Sequence, residues 1–182
     1  MAETLRAHHT VLLELAQGKG DPADPQVQSF FNAFCRAFLS WQFVEANLSR
    51  ICSHFVIAKS RSAMMASYHS VLNLNIRLGM IDSAARSLLK GEYLLEEWLD
   101  LHREVSKRAV NRNNLAHFTV STVSTKDGTG YRLCPTIFDP LASAQQFDTL
   151  QLEKFRDDFM ELADALGKYE DKLEIRLPLI AT

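Results

Sequence analysis

The chain has 182 residues, 47% of them apolar and 23% charged, a composition that excludes a disordered protein. Its 20 basic and 22 acidic side chains leave a net charge of −2, which excludes a broad basic field for nucleic acid. The three cysteines are widely spaced and form no CxxC pair, a pattern typical of reduced thiols in the cytoplasm.

Helical periodicity dominates the first half of the chain. A first helix is predicted over 3–17 and ends at a breaker that contains Gly and Pro. A second is predicted over 26–58, where large apolar residues recur every third or fourth position. A third is predicted over 64–89, with a break or bend near Gly79 and Asp82.

The spacing of apolar residues changes from helical to strand periodicity in the second half of the chain. A fourth helix is predicted over 92–117, because its acidic residues come first and its basic residues last, which complements the helix dipole. Alternating β-branched residues over 118–124, a Gly-containing turn and a second run over 131–137 predict a β-hairpin. Asp148 and Thr149 are predicted to cap a last helix that ends near residue 173.

These elements predict one all-α domain over residues 1–182, a bundle of about five helices with one β-hairpin after the fourth helix. Its parts are a helical core over about 26–118, the hairpin over about 118–137 and a C-terminal helix over about 149–174. The charged N-terminal stretch is unlike a signal peptide and no apolar run is long enough to cross a bilayer, so we expect a cytoplasmic protein.

Two charged residues fall within otherwise apolar helix faces. Glu45 lies in a stripe that includes Trp41 and Leu48, and Arg112 follows Leu94 by about five whole turns on the stripe of the fourth helix. A lone buried charge is costly, whereas a hydrogen-bonded pair is tolerated. We therefore expect Glu45 and Arg112 to meet across the helix interface. Two alternatives are that the pair is a purely structural salt bridge, or that the long side chains extend to the edge of the interface and keep their charges in solvent.

The residues around Arg112 favour a chemical role. Arg112, Asn113 and His117 place a fixed cation, an amide and a titratable imidazole within about one and a half helical turns. Cleavage of a phosphodiester requires a cation near the non-bridging oxygens and a group that transfers a proton. Lys107 and Arg108, one turn earlier, are predicted to bind flanking phosphates of RNA. The alternative is that Asn113 and His117 only cap the end of the helix.

Residues 111–118, Asn-Arg-Asn-Asn-Leu-Ala-His-Phe, resemble the signature of HEPN domains, in which an Arg at the end of a long helix precedes a His. Four residues separate Arg112 from His117, and Asn113 matches the polar residue that usually follows the Arg. The resemblance extends more loosely over 26–118, and Glu45 matches the acidic residue often found on an early helix of that family.

The resemblance implies a helical bundle, often a dimer with the motif helices of two chains adjoining. Many members are metal-independent endoribonucleases of toxin–antitoxin or phage-defence systems. In those enzymes the His and the Arg promote attack by the 2′-hydroxyl and leave a 2′,3′-cyclic phosphate. The implied catalytic residues are thus Arg112 and His117, with Asn113 and Glu45. The implied partners are RNA, a second copy of the chain and an antitoxin or other protein; no cofactor, DNA or membrane is expected.

Other members of the family act only as interaction or scaffolding modules, which is the second hypothesis for this chain. A small-molecule binder is a third, which no sequence feature favours. The remaining histidines lack metal-ligand spacing, and the chain has neither a phosphate-binding loop nor a GxSxG elbow, so we predict no metal site. Apolar residues on two faces of the fourth helix predict a two-fold homodimer with the two His117 side chains within about 15 Å.

Overall fold

A computed structural model describes residues 24–56, 60–125, 128–135 and 146–177. The elements in chain order are α1 (Pro25–Phe55), α2 (Arg61–Ser70), α3 (Leu74–Leu88), α4 (Tyr93–His117), β1 (Thr119–Thr125), β2 (Gly128–Cys134) and α5 (Thr149–Arg176). The mostly helical fold with one antiparallel hairpin is confirmed. The predicted helix over 3–17 lies outside the described residues.

The chain forms two compact units. One contains residues up to Leu39 together with Asn111–Asp157, and the other contains Ser40–Val110 together with the residues from Asp158 onwards. We call them the hairpin unit and the tryptophan unit. None of the helices within the described ranges is long and apolar enough to cross a membrane.

The predicted third helix is two helices in the structure, α2 and α3. The sequence prediction placed the break near Gly79, which instead lies within α3. The break lies before Asn73, whose side-chain oxygen accepts hydrogen bonds from two backbone N–H groups of the first turn of α3, at 2.9 and 3.3 Å. An Asn that caps a new helix determines the boundary here, whereas a single Gly within a helix only weakens it.

Aromatic side chains build the core of the tryptophan unit. Trp41 and Trp98 are fully buried. The ring of Trp41 meets Phe159 edge-on with centroids 5.1 Å apart, and Trp98 packs beside Tyr169 at 6.1 Å. The Tyr169 hydroxyl donates a hydrogen bond of 3.1 Å to the carbonyl oxygen of Leu94. Residues of α1, α4 and α5 are thus held by large apolar surfaces whose polar ends have partners.

The hairpin unit fixes the chain directly after α4. Leu133 of β2 exchanges two backbone hydrogen bonds with Phe147, at 2.8 and 2.9 Å. The Phe147 ring stacks on Phe118 with centroids 5.6 Å apart and meets Phe155 edge-on at 4.9 Å. Because Phe118 follows the last residue of α4, this aromatic cluster holds the end of α4 against the hairpin.

Three buried acids in the tryptophan unit hold their protons strongly. Burial raises the pKa of the Cys52 thiol from 9.0 to about 11. Burial raises the pKa of Tyr68, to which the nearby Glu45 carboxylate adds, and it raises the pKa of Tyr169, to which Glu97 adds. In each case the folded state favours the neutral form.

The folded protein should therefore lose stability in alkali. In the unfolded chain the thiol and the phenols ionise near their ordinary pKa values of 9.0 and 10.0, so the unfolded state loses its protons first as the pH rises. We expect the free energy of unfolding, measured with urea, to fall between about pH 9 and pH 11. The Cys52→Ala and Tyr68→Phe double variant should show a smaller fall, and an unchanged value across this range in the parent would contradict the account.

Candidate functional site

The motif residues lie at the C-terminal end of α4. His117 is the last residue of the helix, and the backbone N–H of Phe118 still donates to the carbonyl oxygen of Asn114, at 2.9 Å, before the chain becomes extended. His117 and Asn113 are exposed, and Arg112 is partly buried. The imidazole is therefore accessible to a substrate, and the aromatic cluster behind Phe118 keeps its backbone in place.

The Arg112 guanidinium is oriented but not neutralised. Its Nη1 donates a hydrogen bond of 3.2 Å to the side-chain oxygen of Asn113. Among the described residues no carboxylate pairs with it, and its Nε is buried without a hydrogen-bond partner. The side-chain amide nitrogen of Asn114 is likewise buried and unpaired in that part of the chain. Buried donors that lack an acceptor cost stability, so these two atoms are an unfavourable feature of the end of α4 within the described residues.

Glu45 is held by a different arginine from the one predicted. Arg77 donates to both carboxylate oxygens, from Nη1 to Oε2 at 2.5 Å and from Nη2 to Oε1 at 3.1 Å. The indole N–H of Trp41 also donates to Oε1, at 3.1 Å. The prediction that Arg112 neutralises Glu45 is therefore wrong in its partner, and a carboxylate bound in this way is a structural group rather than a free base.

The sequence analysis did not single out Arg77, although it is also a charged residue within an apolar helix face. Arg77, Ile81 and Ala85 recur every fourth residue along the buried face of α3, so a charge again interrupts an apolar stripe. The Arg77 guanidinium lies 5.0 Å from the centre of the Tyr68 ring, a cation–π contact. Glu45 and Arg77 are each 7% exposed, so α3 supplies the countercharge inside the core.

The two predicted phosphate-binding residues differ in their surroundings. Arg108 Nη1 donates to the carbonyl oxygen of Asp158 at 2.6 Å, and Nη2 lies 3.4 Å from Glu161 and 3.5 Å from Glu104. Arg108 therefore contributes to the packing of α4 against α5, and its binding of a phosphate stays a prediction. Lys107 is well exposed and only 3.9 Å from Glu104, a weak surface pair that leaves its ammonium accessible to a phosphate.

A second polar cluster, which sequence reasoning did not single out, joins α1 to α5. His54 Nδ1 lies 3.1 Å from the carbonyl oxygen of Leu177, and its Nε2 lies 3.7 Å from Glu170. Arg50 Nε lies 2.8 Å from the other oxygen of Glu170. The His54 side chain has no exposed surface. Its partners and its burial indicate a structural imidazole, in contrast to the exposed His117.

The described residues contain no group of three or more His, Cys, Asp and Glu side chains arranged to hold a metal ion. Comparison of the chain with protein-family models, curated proteins and solved structures finds no match. The resemblance to HEPN domains therefore depends on the motif residues themselves and on their position at the end of a long helix.

The buried pair makes a sharp prediction for stability. Glu45→Ala leaves the Arg77 cation buried without a counter-charge and should lower the free energy of unfolding by about 3–5 kcal/mol. Adding Arg77→Met removes that cation and should recover much of the loss, as measured by urea denaturation. Arg112→Met in the same background is the matched control and should recover nothing. Additive losses for Glu45 and Arg77 would show that the two residues are not coupled.

Proposed function

We propose that this chain is a metal-independent endoribonuclease whose reacting groups are His117 and Arg112. The observation that carries the proposal is the exposed imidazole at the end of α4, one and a half turns after an arginine that no described carboxylate neutralises. Most other arginines of the described chain are already bound to acceptors, as Arg77 and Arg108 are. The positive charge of Arg112 is thus not neutralised by any described carboxylate, so it can interact with an anionic ligand.

The chemistry follows from these two groups. Neutral His117 accepts the proton of a ribose 2′-hydroxyl, and the resulting oxygen attacks the adjacent phosphorus. Arg112 donates to the non-bridging oxygens and stabilises the charge that builds up on them. The bond from phosphorus to the 5′-oxygen then breaks, and that oxygen takes up a proton that the His117 imidazolium gives back, directly or through solvent. The products are a 2′,3′-cyclic phosphate and a 5′-hydroxyl, so no water is consumed in this step.

Asn113 serves as a positioning residue for Arg112. Its side-chain oxygen accepts from Nη1 and so restricts the rotation of the guanidinium. Because Asn113 and Arg112 are adjacent on the same helix, the contact does not depend on another element. Lys107, one turn earlier and exposed, would bind a flanking phosphate.

The biological setting that accompanies this proposal is a toxin–antitoxin or phage-defence system, with a homodimer as the working form. A non-catalytic interaction module is the second candidate. The net charge of −2 and the structural use of Arg108 favour it, because both reduce the number of cations that could bind RNA.

Substitution of either reacting group should abolish cleavage. His117→Ala and Arg112→Ala should each reduce the rate of cleavage of single-stranded RNA by about a hundredfold or more, because each removes a group needed in the transition state. His69→Ala and Arg103→Ala are matched controls, since both residues are exposed on helices, and they should cut like the parent. A chelator should leave the rate unchanged.

The same assay decides between the two candidates. A protein that cuts no RNA, or a His117→Ala variant that cuts as well as the parent, would favour the interaction module. Products with 3′-hydroxyl ends would contradict the mechanism, because they cannot arise from attack by the 2′-hydroxyl.

The proposed homodimer can be tested through α4. Val110 belongs to the second apolar face of this helix and is 57% exposed. Val110→Asp should convert a dimer at micromolar concentration into a monomer in light scattering, because a charge would be buried in the interface. Leu72→Asp is the control, since Leu72 is 92% exposed outside α4. A parent protein that is monomeric at this concentration would refute the dimer.

A further inference from the structure

The ring of Phe118 is the outermost of three aromatic rings that pack together in the hairpin unit. It lies nearly parallel to the ring of Phe147, with an interplanar angle of 20° and centroids 5.6 Å apart. Phe147 in turn meets Phe155 edge-on at 4.9 Å. Phe147 and Phe155 are each 8% exposed, whereas Phe118 is partly exposed. Within the described ranges no second ring stacks on Phe118, so Phe147 covers one face of its ring and holds it in a fixed orientation.

Phe118 lies directly beside the proposed reacting group. It follows His117 in the chain, and its backbone N–H still donates to the carbonyl oxygen of Asn114 at 2.9 Å, so the helical course of α4 extends to this residue. Successive residues of a helix project about 100° apart around the axis. The side chains of His117 and Phe118 therefore leave adjoining sides of the helix end, from α-carbons about 3.8 Å apart.

A partly exposed ring at this position is suited to hold an unstacked nucleobase. Stacking on an aromatic side chain strengthens the binding of single-stranded RNA by roughly ten- to a hundredfold, and it accepts any base because every base has a π-face. Phe147 already immobilises the ring, so little side-chain freedom is lost when a base binds. The contact also needs no positive charge, which suits a chain whose net charge is −2.

We propose that Phe118 stacks on the base of the nucleotide immediately 5′ to the bond that is cut. The ribose of this nucleotide carries the 2′-hydroxyl that His117 deprotonates, so its base is covalently attached next to the reacting atoms. Stacking would fix the rotation of the ribose and hold the hydroxyl toward the imidazole, which makes Phe118 a substrate-positioning residue. The assignment rests on the proposed function, since it names what the same site binds. Cleavage should then require a base at this position but tolerate any of the four.

The test is a double-mutant cycle between the protein and the RNA. The RNA change removes the base of the 5′ nucleotide and leaves an abasic ribose that keeps its 2′-hydroxyl. The protein change is Phe118→Leu, which keeps an apolar side chain against Phe147 and removes the flat ring. Each change alone should lower kcat/KM for cleavage by about tenfold or more, and both together should lower it no further. Losses that multiply would overturn the inference, because they would show that the ring does not contact this base.

Two protein variants separate stacking from folding. Phe118→Tyr keeps a flat ring and should retain both the parent rate and the loss with abasic RNA. Tyr93→Leu removes a ring that is 68% exposed at the other end of α4 and should change neither. If Phe118→Leu does not fold, the parent protein decides, because cleavage of the abasic RNA at the full rate overturns the inference. An abasic nucleotide on the 3′ side of the bond should have no effect, and coupling of Phe118 to that base would overturn the assignment.

Binding to the His117→Ala protein keeps this inference separate from the ribonuclease itself. Fluorescence anisotropy measures the affinity for oligonucleotides with the abasic nucleotide at each position in turn, with and without Phe118→Leu. Coupled affinities in a chain whose parent never cuts RNA support the stacking role and overturn the ribonuclease. Cleavage that depends on His117 without coupling at Phe118 overturns the stacking role and leaves the ribonuclease. A parent protein that neither binds nor cuts single-stranded RNA overturns both.

Discussion

The ion pair between Glu45 and Arg77 is the constraint on which the tryptophan unit depends. Both side chains are removed from water, and their desolvation is offset only because the carboxylate accepts three hydrogen bonds from Arg77 and Trp41. An apolar pair of similar size would pack without this requirement. The charged pair instead restricts how α1 and α3 meet, since another register would leave a charge buried and unpaired.

The arginines of the described chain fall into two groups, those bound to acceptors within the fold and those without a carboxylate partner among the described residues. Arg77 and Arg108 are bound to internal acceptors and maintain helix packing. Arg112 and Arg132 have no carboxylate partner among the described residues, and both belong to the hairpin unit. With a net charge of −2 the chain has no long-range attraction for RNA, so the proposed recognition relies on a few local contacts. Such a site suits short single-stranded segments better than duplex RNA.

Helix and strand periodicity was sufficient to predict that α1, α4, α5 and the hairpin exist, because each has a regular pattern of apolar residues. The second strand was misplaced, since β2 begins at Gly128, within the predicted turn, and ends at Cys134 rather than at residue 137. The boundary between α2 and α3 was misplaced, because the cap at Asn73 determines where the new helix begins and Gly79 does not interrupt it. Arg77 shows the same pattern as Arg112, yet periodicity cannot say which of two buried-face cations meets Glu45. That choice depends on the tertiary packing of α3.

The candidate site residues also include some that the sequence could place and some that it could not. The position of His117 at a helix end could be inferred from the change of period after it, and the structure places it there, exposed. The engagement of Arg108 with α5 could not be inferred, because its acceptor is a backbone carbonyl fifty residues later. A cleft bounded by the first turns of α1, by β2 and by the start of α5 was also beyond the sequence, because these three segments share no motif.

In the proposed reaction a ribose 2′-hydroxyl attacks the phosphorus with help from His117. The most direct test is an RNA oligonucleotide that the protein cuts at one site, compared with the same oligonucleotide carrying a single 2′-deoxy nucleotide immediately 5′ to that bond. We expect this one substitution to abolish cleavage at the site while binding is retained, because the nucleophile is missing. Cleavage of the substituted bond at the parent rate would contradict the account.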